Sequence, residues 1–180
     1  MTNVKKSIVT AACIALCVVL PMAFHAIPNA GSIYSPMHIP ALVCGIVCGW
    51  PFGLLCGVLG PLLSTLMTGM PPMAYLPVMM IEIGVYGLIA GLMMNLVRTK
   101  KVYADLYISL ITAMLAGRII AGLAKAFIFA PGKFTMAAWV AGSFITALPG
   151  IIIHLALIPS IVFALMQAHL VPARYPVRRG

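Results

Sequence analysis

The chain has 180 residues, of which 63% are hydrophobic and 7% charged, with eleven Lys and Arg against two carboxylates and a net charge of +9. A soluble globular domain carries roughly 25% charged residues, so the composition excludes one and leaves a single-domain polytopic membrane protein. The basic residues sit in short clusters between apolar runs and form no stripe. That argues against a nucleic-acid surface and reads as a set of topology determinants.

Six apolar segments follow in order, at 7–25, 38–49, 52–68, 73–97, 105–129 and 137–167. The first follows Lys5 and Lys6 and lacks a convincing small-residue cleavage site, so it reads as a retained span and not as a signal peptide. It carries Ala11 and Ala15, an Ala-x-x-x-Ala spacing that lets another helix approach closely. The stretch from Ala26 to Met37 is rich in turn formers and hydrogen-bonding groups, among them Asn29, Ser32 and Tyr34. A connection of that length in a compact protein is usually a lid, a binding loop or disordered. Segments two and three are short for a span, which needs roughly 20 residues. The Trp50-Pro51 joint makes them a tight helical hairpin.

On the fourth segment Tyr75, Met79, Glu82 and Tyr86 share a helical face. The fifth begins near Asp105, placed to cap it, and contains Arg118 and Lys125, seven residues apart and also on one face. The sixth is overlong and interrupted by Pro149-Gly150 and by Pro159. Ser143, Ala147, Gly150 and His154 fall on one of its faces. His25 and His38 flank the long loop as candidate caps or hinges.

The positive residues orient the spans. With the N-terminus inside, the inner side holds Lys5, Lys6, Arg98, Lys100, Lys101, Arg174, Arg178 and Arg179, and the outer side holds only Lys133. The expected fold is therefore an all-α integral membrane protein of six transmembrane helices, N-in and C-in, with a long outer loop between helices 1 and 2.

Charges in hydrocarbon cost several kcal/mol and usually mark a substrate or ion path. At 1.5 Å per residue, Glu82 lies roughly 10–15 Å and Arg118 roughly 15 Å below the outer ends of their helices, so the two can pair. Such a pair either fixes helix register or belongs to a binding site. Lys125 either snorkels outward or adds a surplus positive charge suited to a carboxylate or phosphate. Tyr34, Asn29, Ser32, Tyr75 and Tyr86 offer polar contacts, and His154 is a helix–helix bonder or a ligand contact. The five cysteines, Cys13, Cys17, Cys44, Cys48 and Cys56, read as small core residues. No cofactor and no metal site is expected. No Walker A pattern, nucleophile elbow or His-Glu-x-x-His motif occurs, and two distant carboxylates do not build a two-metal centre. Three function classes remain open: a small-molecule transport subunit, a membrane enzyme acting on a lipid or prenyl substrate, and an assembly protein.

One family is closer than the rest. Six short spans, the Ala-x-x-x-Ala first helix and the long first loop resemble the substrate-binding S components of energy-coupling factor (ECF) vitamin transporters. So do Ser35-Pro36-Met37-His38-Ile39-Pro40, Cys44-Gly45, Gly49-Trp50-Pro51-Phe52-Gly53, Gly60-Pro61-Leu62-Leu63-Ser64 and Thr68-Gly69-Met70-Pro71-Pro72-Met73-Ala74-Tyr75. The pantothenate type is the most similar. Folate, pyridoxine and cobalamin types are the alternatives. The resemblance implies a non-enzymatic, multi-pass protein of the bacterial cell membrane. Such a protein binds a water-soluble vitamin from outside and works with a membrane coupling subunit and two ATPases. Ala11 and Ala15 match the motif that contacts the coupling subunit. The substrate-binding candidates are Asn29, Ser32, Tyr34, Tyr75, Glu82, Tyr86, Arg118, Lys125 and His154.

Overall fold

The computed structural model describes residues 1–24, 30–129, 132 and 134–172. Asn29, Lys133, Arg174, Arg178 and Arg179 lie outside the described residues.

Helix α1 (Asn3–Ala23) starts earlier than the apolar run, because the Thr2 side chain accepts a bond from the Lys5 backbone N–H and caps it. The following connection is not plain loop. Ala30–Tyr34 form a short helix, α2, and a turn at 35–37 leads into α3 (His38–Cys48). Gly49 alone separates α3 from α4 (Trp50–Thr68); its φ of 97° is accessible at little cost only without a Cβ. Ser64 and Thr65 donate to the carbonyls of Met70 and Pro71 at 2.7 and 2.9 Å, which pins the turn into α5 (Leu76–Leu96). Helix α6 (Val102–Ala124) continues as a π-helical turn over Lys125–Phe129.

The last apolar segment does not form one span. A short helix, α7 (Met136–Val140), runs on as a π-helical stretch to Thr146, and a separate α8 (Leu148–Gln167) follows. Pro149 sits in the first turn of α8, where its missing N–H costs nothing, so the break falls just before it. Pro159 lies inside α8 and does not end it.

Among the described residues six helical stretches are long and apolar enough to cross a membrane: Asn3–Ala23, Gly31–Cys48, Trp50–Thr68, Leu76–Leu96, Val102–Phe129 and Leu148–Gln167. No strand occurs among the described residues.

Glycines set the spacing of the central helices. A Cβ on Gly45 of α3 or Gly53 of α4 would meet the carbonyl of Gly87 on α5, and one on Gly91 would meet the Trp50 backbone. The three helices therefore touch backbone to backbone, the close approach that small residues permit in a membrane. One core cluster joins α3, α5, α6 and α8 through Leu42, Tyr86, Leu106, Leu110 and Ile158. A second lies between α1, α3 and α4 and contains all five cysteines, each free and buried.

Asp105 is no N-cap. Lys101 holds that position, and Asp105, fully buried in the first turn of α6, accepts from the Thr99 N–H at 2.9 Å and from its hydroxyl at 2.7 Å.

Candidate functional site

Five polar side chains, all but Glu82 buried, converge at the end of the bundle where α3, α5 and α8 begin and α6 ends. His38 opens α3, Glu82 and Tyr86 lie on successive turns of α5, Arg118 is in the last two turns of α6, and His154 is in the second turn of α8. Small residues make the convergence possible. A Cβ on Gly117 would collide with the Tyr86 ring, and one on Gly150 would collide with the Ile33 carbonyl of α2.

Glu82 and Arg118 do not pair directly as the depth argument expects; Tyr86 lies between them. The Arg118 Nε donates to the Tyr86 hydroxyl at 2.8 Å, and the hydroxyl donates to Glu82 Oε1 at 3.3 Å. The same carboxylate oxygen is 3.7 Å from His38 Nε2. The His38 ring centroid lies 5.0 Å from that of Tyr86 and 6.1 Å from that of His154. His154 Nε2 reaches the Ser35 carbonyl oxygen at 3.2 Å, tying α8 to the turn between α2 and α3. Five side chains from four helices thus form one connected network.

Two short helices border it. Phe144, in the π-helical continuation of α7, lies under the Arg118 guanidinium at 5.6 Å. Trp139 of α7 packs where a Cβ on Gly122 would stand. The site is built with polar capacity to spare: Arg118 Nη1, His38 Nδ1 and His154 Nδ1 are buried and have no hydrogen-bond partner among the described residues. A buried polar group left in that condition costs about 1–3 kcal/mol, which packing alone gives no reason to bear.

Of the residues expected from the sequence, Glu82, Tyr86, Arg118 and His154 come together. Tyr75 and Lys125 do not. They sit one heptad, about 10 Å, nearer the same end of the bundle than Glu82 and Arg118 on neighbouring antiparallel helices, and both are exposed. Ser32 is exposed on α2, and Tyr34 is half-buried with its ring 5.8 Å from Phe24. Asn29 lies outside the described residues. Ser143 and His154 do not share one helix, because the chain breaks between α7 and α8. Ala11 and Ala15 are exposed on α1, beside exposed Ile8 and Val19.

His38 is the member that sequence reasoning missed. Its signal was available: one of four histidines, inside an apolar run and next to the Ser-Pro-Met motif.

Two hollows open elsewhere. One of about 200 Å³ lies at the opposite end of the bundle, between Ile46, Met94, Val102 and Val162. The other, about 470 Å³, is an apolar groove between α4 and α5 lined by Leu54, Val58 and Met80. Neither touches the polar network, and neither is lined by a side chain able to orient a polar ligand; the chemistry lies in the network. Among the described residues no group of three His, Cys, Asp or Glu is arranged to hold a metal ion.

The family model for the ECF transporter substrate-specific component matches residues 5–171. The chain belongs to this family. Neither a curated protein nor a solved structure matches it. An ECF S component is a substrate-binding transport subunit and not an enzyme. Membership together with six apolar helices makes the chain a multi-pass membrane protein. The family implies a membrane-embedded module with coupling and ATPase subunits and a small-molecule substrate.

Proposed function

We propose that this S component captures a water-soluble vitamin at the His38–Glu82–Tyr86–Arg118–His154 network, with pantothenate as the favoured substrate. The observation that carries the reading is the Arg118 guanidinium: it is 4% exposed, donates Nε to Tyr86 and has no partner for Nη1 among the described residues. A guanidinium in that position suits a carboxylate. Pantothenate is a small monoanion that also carries hydroxyls and an amide for the remaining polar atoms.

The orientation of the chain is part of the proposal. Lys5, Lys6, Arg98, Lys100 and Lys101 all lie at the end of the bundle away from the network. The excess of positive charge there supports a cytoplasmic position for that end and an outward position for the site. The proposed setting is the bacterial plasma membrane. Release inward is driven by two ATPases through a coupling subunit, which docks on the exposed Ala11–Ala15 stripe of α1.

Mass spectrometry of the ligand that co-purifies with the detergent-extracted chain tests this. The expected result is pantothenate. Folate, pyridoxine or cobalamin would keep the transport reading and replace the vitamin. A preparation with no vitamin at all, from cells supplied with each, would remove the reading.

A further inference from the structure

The hydrogen bonds already made within the network determine which atoms remain for a ligand. A carbonyl oxygen only accepts, so the contact between His154 Nε2 and the Ser35 carbonyl at 3.2 Å places the ring proton on Nε2. In the neutral ring, His154 Nδ1 is then an acceptor, and it has no donor among the described residues. The Tyr86 hydroxyl is engaged on both sides, accepting from Arg118 Nε and donating to Glu82. Arg118 Nη1 is a cationic donor with no acceptor among the described residues. Both side chains are deeply buried, Arg118 at 4% exposure and His154 at 0%. They flank the His38–Tyr86 ring pair, which borders Arg118 through the tyrosine hydroxyl and His154 through the imidazole.

We infer that the site selects a small hydroxy acid, an anionic oxygen meeting Arg118 Nη1 and a hydroxyl donating its proton to His154 Nδ1. The inference rests on the reading of the network as the vitamin site and narrows it to a chemical class. A ligand that is only an anion leaves His154 unmet, and one that is only a polyol leaves Arg118 unmet. Sites built to bond a substrate hydroxyl discriminate strongly against the analogue lacking it, because the buried protein atom is then stranded. His154 is therefore the specificity-determining residue, and Arg118 is the general anchor.

The test titrates the full-length chain in nanodiscs with pantothenate, its dideoxy analogue, its O-methyl ethers and its primary amide. On the unmutated chain the dideoxy analogue binds roughly 10- to 100-fold more weakly. At least one methyl ether, which can accept but not donate at that oxygen, loses a comparable factor. The primary amide, which lacks the anionic oxygen, also binds weakly. In His154→Phe the penalty for the missing hydroxyls falls to less than about threefold, and the penalty for the amide remains. The ether comparison needs no variant, so it can overturn the inference even where His154→Phe does not fold. Ethers that all bind like the parent overturn the inference, as does an equal hydroxyl penalty in the wild type and a folded His154→Phe. A chain that binds none of these probes yet co-purifies with a different vitamin overturns the hydroxy-acid class and leaves the vitamin-capture reading standing. A chain that binds none of them and carries no vitamin overturns both.

Discussion

Arg118 and Glu82, on adjacent antiparallel helices, are joined by the hydroxyl of Tyr86, which accepts from the guanidinium at 2.8 Å and donates to the carboxylate at 3.3 Å. The bridge satisfies Arg118 Nε and leaves Nη1 for another partner. A direct bidentate pair would have engaged two of the guanidinium N–H donors with Glu82; in the bridged arrangement only Nε is committed to Tyr86.

Tyr86→Phe removes the bridge and nothing else of comparable size. It strands the Nε of buried Arg118 and unties Glu82, whose side chain is 24% exposed. Thermal unfolding in detergent is expected to show a loss of about 1–3 kcal/mol. Unchanged stability would mean that Arg118 and Glu82 find each other without the hydroxyl.

Gly87→Ala and Gly53→Ala push a methyl group into the backbone of the facing helix. Each is expected to destabilise by about 1–3 kcal/mol or more, the usual cost of overpacking. Gly142→Ala, where nothing lies within 4 Å of the added Cβ, is the control and stays near wild type. Melting midpoints of the three variants side by side check this.

Ala11→Leu combined with Ala15→Leu changes only an exposed stripe. Vitamin binding by the isolated chain is expected to be unchanged, while co-purification with the coupling subunit and uptake by whole cells fall. Intact uptake would move the docking surface off α1.

Asp105→Ala removes the acceptor for both the Thr99 N–H and its hydroxyl. A stability loss of about 1–3 kcal/mol is expected, with ligand affinity unaltered, because Asp105 lies in the first turn of α6 and Arg118 lies near its other end. A change in affinity would reveal coupling along α6.

Much of the fold is legible in the sequence because hydrocarbon length and apolar composition dictate spans. The two short runs mark the α3–α4 hairpin, although the expected Trp50-Pro51 joint forms the first turn of α4 and the chain turns at Gly49 instead. The depth estimate brings Glu82 and Arg118 to one level, and the i, i+4 spacing puts Tyr86 on the face of Glu82. Spacing gives directions along one helix, however, and not which side chain enters the gap between two. The tyrosine bridge is a property of the α5–α6 packing, made possible by Gly117. Lys125 shares a heptad face with Arg118, but seven residues also carry it to the end of the packed bundle, where it is exposed. By its position in the sequence His38 only flanks a loop. Its partners are His154, more than a hundred positions away, and Glu82, and only the tertiary fold brings them together. The split of the last segment into α7 and α8 falls just before Pro149, where Pro149-Gly150 marks a break in the overlong apolar run; Pro159 does not break α8.

The most direct test of the account is the affinity for the co-purifying vitamin of the wild type, Arg118→Gln and Lys125→Gln, each shown to be folded by its melting transition. Arg118→Gln is expected to lose at least about tenfold in affinity, equivalent to about 1.4 kcal/mol, while Lys125→Gln, exposed beyond the network, binds like the wild type. Equal affinities for all three, or a loss confined to Lys125→Gln, would contradict the account by placing the anion elsewhere.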